Sequence, residues 1–178
     1  MFYINYLDLL LLITLIWFFV RVFSIIKNKK IDFIYELKLL TIYICIVVIV
    51  RIVYFAWHLD NGRIKPLIFD IKKIFPLWIN FIPFIHMFEI YDGWLVNLIG
   101  NISMFIPVGF LLPFCFSKLN SVKNVVFVGF KISLFIELSQ LILYERSTDI
   151  DDLILNTLGV FIGALIYFSI FKRRENTK

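Results

Sequence analysis

Asp149–Phe171 reads DIDDLILNTLGVFIGALIYFSIF, and this stretch decides the class of the fold. From Leu153 to Phe171 no charged residue interrupts it. A bilayer core of roughly 30 Å takes roughly 20 apolar residues at helical rise, so the stretch is long enough to cross a membrane as one helix. Its polar and small residues are not scattered. Asp149, Asp152, Asn156, Gly159 and Gly163 recur every three or four positions, which lines them along one helical face.

Four more segments meet the same length requirement: Tyr6–Ile26, Leu37–Trp57, Trp94–Phe116 and Val122–Leu143. The expected fold is therefore all-α, a polytopic bundle of about five spanning helices in a single domain over residues 1–178. Composition agrees. The 178 residues are 61% hydrophobic with 21 Phe and only 17% charged, where a soluble domain carries about a quarter. The formal charge of +5 does not point to nucleic acid, because the Lys and Arg residues sit at the ends of apolar blocks rather than on one polar face. Cys45 and Cys115 each lie inside an apolar block, which argues against a disulfide and against a metal site. No phosphate-binding glycine loop, nucleophile elbow, HExxH or CxxC motif is present, so the familiar motifs of soluble enzymes are absent and any cofactor is unknown.

Ile64–Tyr91 is apolar but broken by Pro66, Pro76 and Pro83 and by Asp70, Lys72 and Lys73. Prolines that close together oppose a straight spanning helix, and the aromatic content suits an interfacial or re-entrant segment. Orientation follows from the basic residues. Lys27, Lys29, Lys30 and Lys38 follow the first span, Lys118 and Lys123 the third, and Lys172, Arg173, Arg174 and Lys178 the fifth, all on one side if five segments cross. The positive-inside rule then puts the N-terminus outside and the C-terminus in the cytoplasm. Heavy use of Ile, Lys, Asn and Phe suits a bacterial genome rich in A and T, and hence a bacterial plasma membrane.

With alternating spans, Asn101, Glu137 and Asn156 fall at similar depth, roughly 9–10 Å from the outer end of their helices, with Asn97, Gln140 and Asp152 shallower. An ionisable group at such depth costs at least about 2.5–3.5 kcal/mol on insertion scales, so Glu137 calls for a partner. Arg51 has the right depth, and Arg146 in the outer hairpin is within reach by snorkelling. Plainer readings compete. Thr148-Asp149-Ile150-Asp151 fits a capping box, which would make Asp149, Asp151 and Asp152 helix starters, and Gly159 with Gly163 fits a packing seam. Pro107 and Pro113 would kink the third helix and free the carbonyls of Ser103 and Gly109. Lys131 and Arg21 read as snorkelling residues, and His58 and His86 as interfacial ones.

Four stretches resemble the VanZ-like family of bacterial membrane proteins: Asn80-Phe81-Ile82-Pro83-Phe84, the run from Asn101 through Pro107 and Gly109 to Pro113, Glu137-Leu138-Ser139-Gln140, and Arg146, Asp149, Asp152, Asn156, Gly159 and Gly163 at family-like spacing. They cover about half the chain, strongest over residues 80–163. That family is named for a protein linked to low-level resistance to teicoplanin, and its biochemical activity is not settled. The resemblance implies ligand-binding roles for Asn80, Asn101, Glu137, Gln140, Arg146, Asp149, Asp152 and Asn156. The reading placed first is an envelope protein in contact with membrane lipids that binds a lipid-linked cell-wall precursor or a lipoglycopeptide near the outer leaflet. The alternative is a membrane enzyme acting on a lipid head group or cell-wall precursor. There Glu137 or Asp152 would act as general base and Arg146 as an anion stabiliser, with a divalent cation between the carboxylates as an option. A small transporter ranks third.

Overall fold

The computed structural model describes residues 2–29, 31–55, 62–69, 79–83, 94–143 and 148–175, with side chains to residue 171. Among the described residues there are five helices: α1 (Tyr6–Asn28), α2 (Phe33–Tyr54), α3 (Trp94–Cys115), α4 (Val122–Gln140) and α5 (Ile150–Glu175). Four short strands accompany them: β1 (Phe2–Ile4), β2 (Leu67–Phe69), β3 (Ile79–Asn80) and β4 (Thr148–Asp149). The all-α expectation holds. Helices α1, α2, α3 and α5 are long and apolar enough to cross a membrane. Helix α4 has 19 residues and carries Lys123, Lys131 and Glu137, so charges are spread along its whole length.

The chain falls into two compact units, Met1–Lys73 and Ile74–Lys178. In the first, α1 and α2 are tied by polar links between apolar faces. Thr14 donates to the Leu10 carbonyl (2.7 Å), so the hydroxyl of Tyr43 is left to donate to Thr14 Oγ1 (2.7 Å). Arg21 is not simply a snorkelling residue: its Nε donates to Glu36 (2.9 Å) and its guanidinium completes an ion pair with the same carboxylate. Asp32 caps α2 by accepting from the Tyr35 N–H (3.1 Å), which starts this helix four residues before the expected Leu37. Antiparallel β1 and β2 pair Phe2 with Phe69 and Ile4 with Leu67.

Two described pieces of Ile64–Tyr91 are extended, at 67–69 and 79–80, so no continuous helix of spanning length runs through it. The rest of that expectation lies outside the described residues.

In the second unit α5 packs against both α3 and α4. The expected seam is present, and glycine makes it. A methyl added at Gly159 would sit 2.2 Å from the Ile102 carbonyl oxygen, one at Gly163 2.0 Å from that of Ile106, and one at Gly109 2.1 Å from that of Val160. Each of these glycines therefore turns a hydrogen toward a carbonyl across the α3–α5 contact, a spacing suited to Cα–H···O=C interactions. Val160, fully buried, also fills the space left by Gly129 of α4 with its side chain while its backbone meets Gly109 of α3, so three helices converge on one residue. Helix α3 runs unbroken through Pro107 and Pro113, and the carbonyls of Ile102 and Ile106 face the glycines of α5. Outward faces stay apolar, with Val96, Ile99 and Phe135 well exposed.

Candidate functional site

The polar residues of α3, α4 and α5 meet at one end of the second unit, where α3 and α5 begin and α4 ends. Helical periodicity explains why. Asn97 and Asn101 are separated by one turn on α3, Ser133, Glu137 and Gln140 lie along one stripe of α4, and Asp149, Asp152 and Asn156 along one stripe that opens α5.

Glu137 is almost fully buried, at 2% exposure. Its Oε2 accepts the Asp149 N–H (3.3 Å), and its main-chain carbonyl accepts the Thr148 hydroxyl (2.7 Å). These two bonds hold the start of α5 against the end of α4. Asp149 Oδ1 accepts both the Asn80 amide (3.1 Å) and the Asp151 N–H (2.9 Å). The second bond makes Asp149 the N-cap of α5, so the helix-starter reading holds for this residue. The expected capping box does not form as written, because the Thr148 hydroxyl goes to Glu137 instead of the helix. Parallel pairing of Asn80 with Asp149 in β3 and β4 brings Asn80 in from a distant part of the chain. Asn80 Oδ1 also accepts the Ile82 N–H (3.1 Å), which fixes its amide.

Beside this layer, Asn101 donates to Asp152 Oδ1 at 2.6 Å and to Asn97 Oδ1 at 3.0 Å, and Asn97 also hydrogen-bonds Asp152. The short Asn101–Asp152 contact is charge-assisted, the stronger class of hydrogen bond. Glu137 and Asp152 lie close enough to repel each other, and Asp149 acts on both. One turn deeper, Asn156 Nδ2 donates to Ser133 Oγ (3.0 Å); Asn156 is 2% exposed and Ser133 fully buried. The carbonyl oxygen of that amide, Asn156 Oδ1, has no hydrogen-bond partner. Leaving such an acceptor unmet in a buried place costs about 1–3 kcal/mol.

Of the residues singled out from sequence, Asn80, Asp149 and Glu137 form one hydrogen-bonded group and Asn101 and Asp152 a second beside it. Asn156 lies beneath them, and Gln140 is buried on the Glu137 stripe. Arg146, His58 and His86 lie outside the described residues. Arg51 donates to the Phe55 carbonyl (3.3 Å) and stacks over the Tyr6 ring (5.8 Å), both within Met1–Lys73. Lys131 stands over the ring of Phe127 at 4.2 Å, as a snorkelling side chain would. Two contributors escaped the sequence reading. Ser133 was signalled by its position four residues before Glu137 on the same stripe, and Val160 carried no signal beyond being apolar. Cys45 and Cys115 are free thiols. Among the described residues no group of three or more His, Cys, Asp or Glu side chains is arranged around a metal position.

Comparison with known proteins bears on the whole of this arrangement. The VanZ/LLP1 family matches residues 6–172. Protein VanZ of Enterococcus faecium is 39% identical over 71 residues, which are 40% of this chain and 44% of that protein, so the match spans less than half of the relative's length. No solved structure matches significantly. With four apolar helices of membrane-crossing length and a family match running from the first turn of α1 into the last turn of α5, this membrane protein belongs to the VanZ/LLP1 family.

Proposed function

We propose that the protein resides in a bacterial plasma membrane and binds, near the outer leaflet, the polar head of a lipid-linked cell-wall precursor or of a lipoglycopeptide such as teicoplanin, limiting what the antibiotic reaches. The observation that carries this reading is the concentration of acceptor oxygens and amides from three helices at one end of an otherwise apolar unit. Carboxylates and amides suit the hydroxyl and N–H groups of sugars and peptides. Exposed Val96 and Ile99 on α3 and Phe135 and Leu138 on α4 flank the same end, and such a face suits the lipid portion of an amphiphile.

The proposed reading requires that end to face outward. Basic residues after α1, after α3 and after α5 support an N-terminus outside and a C-terminus in the cytoplasm. In a protein freed of Cys45 and Cys115, the single substitution Ser147→Cys is expected to react with an impermeant maleimide on intact cells, and Asn120→Cys only after permeabilisation. The reverse pattern would overturn the orientation.

Ligand class is tested by mass spectrometry of lipids and wall precursors that co-purify with the protein. A lipid-linked precursor enriched with the wild type and depleted with Asp152→Asn is the expected result. Identical profiles of bulk membrane lipid from both would refute head-group binding.

A further inference from the structure

Beneath the head-group region lies a place whose donors do not suit a bulky ligand. Asn156 and Ser133 are buried between α4 and α5, and Asn156 Oδ1 accepts from no group in the protein. Asp152 lies one turn above Asn156 on α5, and Glu137 one turn above Ser133 on α4, so the four side chains occupy facing stripes. The two carboxylates repel each other. Their hydrogen bonds come from the Asp149 N–H and the Asn101 and Asn97 amides, which are neutral.

We propose that Asn156, Ser133, Glu137 and Asp152 bind a hard divalent cation of the Mg2+ or Ca2+ kind. The unmet amide carbonyl points to something electropositive at the floor of the seam. A water molecule would satisfy that oxygen alone, whereas a divalent ion would also engage the two carboxylates one turn above it. The donor set is all oxygen: two carboxylates, an amide carbonyl and a hydroxyl. That chemistry selects Mg2+ or Ca2+ over Zn2+ or copper, which favour the His and Cys ligands this set lacks. Mg2+ sites commonly use one or two carboxylates and retain water in the remaining positions, so the small number of acids is no obstacle. This inference goes beyond head-group binding and does not depend on it.

The test uses the full-length protein in detergent, stripped with EDTA and then passed back into chelator-free buffer. Thermal melting is followed against Mg2+, Ca2+ and Na+ at matched ionic strength. A saturable rise in melting temperature with at least one divalent ion, absent with Na+, is expected, because an ion that binds only the folded state stabilises it by mass action. Which divalent ion acts at the lower concentration identifies the preferred ion. Asn156→Leu should weaken the apparent affinity by at least about 10-fold, as loss of a ligand-supporting group does at metal sites. Asn156→Asp, which replaces the amide with a carboxylate of the same shape, should lower the melting temperature in EDTA and bind the divalent ion more tightly than wild type. Asp8→Asn, in the other unit, should retain the wild-type response. No saturable response to either divalent ion, or an equal response in wild type and both Asn156 variants, would overturn the proposal. So would an Asn156→Asp protein whose loss of stability the ions do not restore, which would mark the place as a water site.

Discussion

Gly163→Ala is expected to lower the melting temperature of the detergent-solubilised protein markedly and to reduce function in parallel. The added methyl would stand 2.0 Å from the Ile106 carbonyl oxygen and press on the Phe110 main-chain nitrogen, at 2.9 Å. Neither is the end of a flexible side chain, so relief requires α3 and α5 to move apart. Overpacking of this kind costs about 1–3 kcal/mol in well-packed cores, and here it would also disturb the Gly159 and Gly109 contacts along the same seam. Gly100→Ala on α3 is the control. A methyl there meets nothing within 4 Å, so the substitution should be neutral or stabilise the helix by about 0.5–1 kcal/mol. Equal melting of Gly163→Ala and wild type would show that the two helices do not approach as closely as described.

Glu137→Gln should behave in the opposite way, abolishing function while leaving the fold intact. The amide retains a carbonyl that can accept the Asp149 N–H, and the bond from Thr148 goes to the main chain, so the links between α4 and α5 survive. Deleting the charge also removes its repulsion by Asp152 and Asp149, and a buried charge is no asset to stability by itself. Melting in EDTA should therefore stay at or slightly above the wild-type value. Under the proposed function, the protection that the wild type gives a susceptible bacterial host against teicoplanin should fall to that of cells without the protein, at equal membrane expression. A normally expressed Glu137→Gln protein with undiminished protection would return the stripe to a purely structural role.

The two substitutions differ because they act on features of different legibility. Hydropathy and period are local and additive along the chain. The spans, the one-sided stripes of Glu137 and Gln140 and of Asp152 and Asn156, and the Gly159–Gly163 seam could all be read before any helix was placed. Element ends were less legible. The structure starts α2 at Phe33, where the Asp32 cap overrides the apolar block, and ends α4 at Gln140, three residues before the expected Leu143. Depth arithmetic has a built-in limit at Arg51: it gives a height along a helix and says nothing of the helix face.

By itself, then, the sequence determined that this is a helical membrane protein with its acids and amides gathered toward one end of three helices, because helix length and face follow from spacing alone. Tertiary structure decided the partners. That Asn80 reaches Asp149 across a parallel strand pair, that Asn101 meets Asp152, that Ile102 and Ile106 offer the carbonyls facing Gly159 and Gly163, and that Asn156 Oδ1 is left unmet all depend on the relative rotation and register of packed helices. Those are set by where glycines let backbones touch and where Val160 fills the gap, an outcome of mutual packing that no single helix encodes.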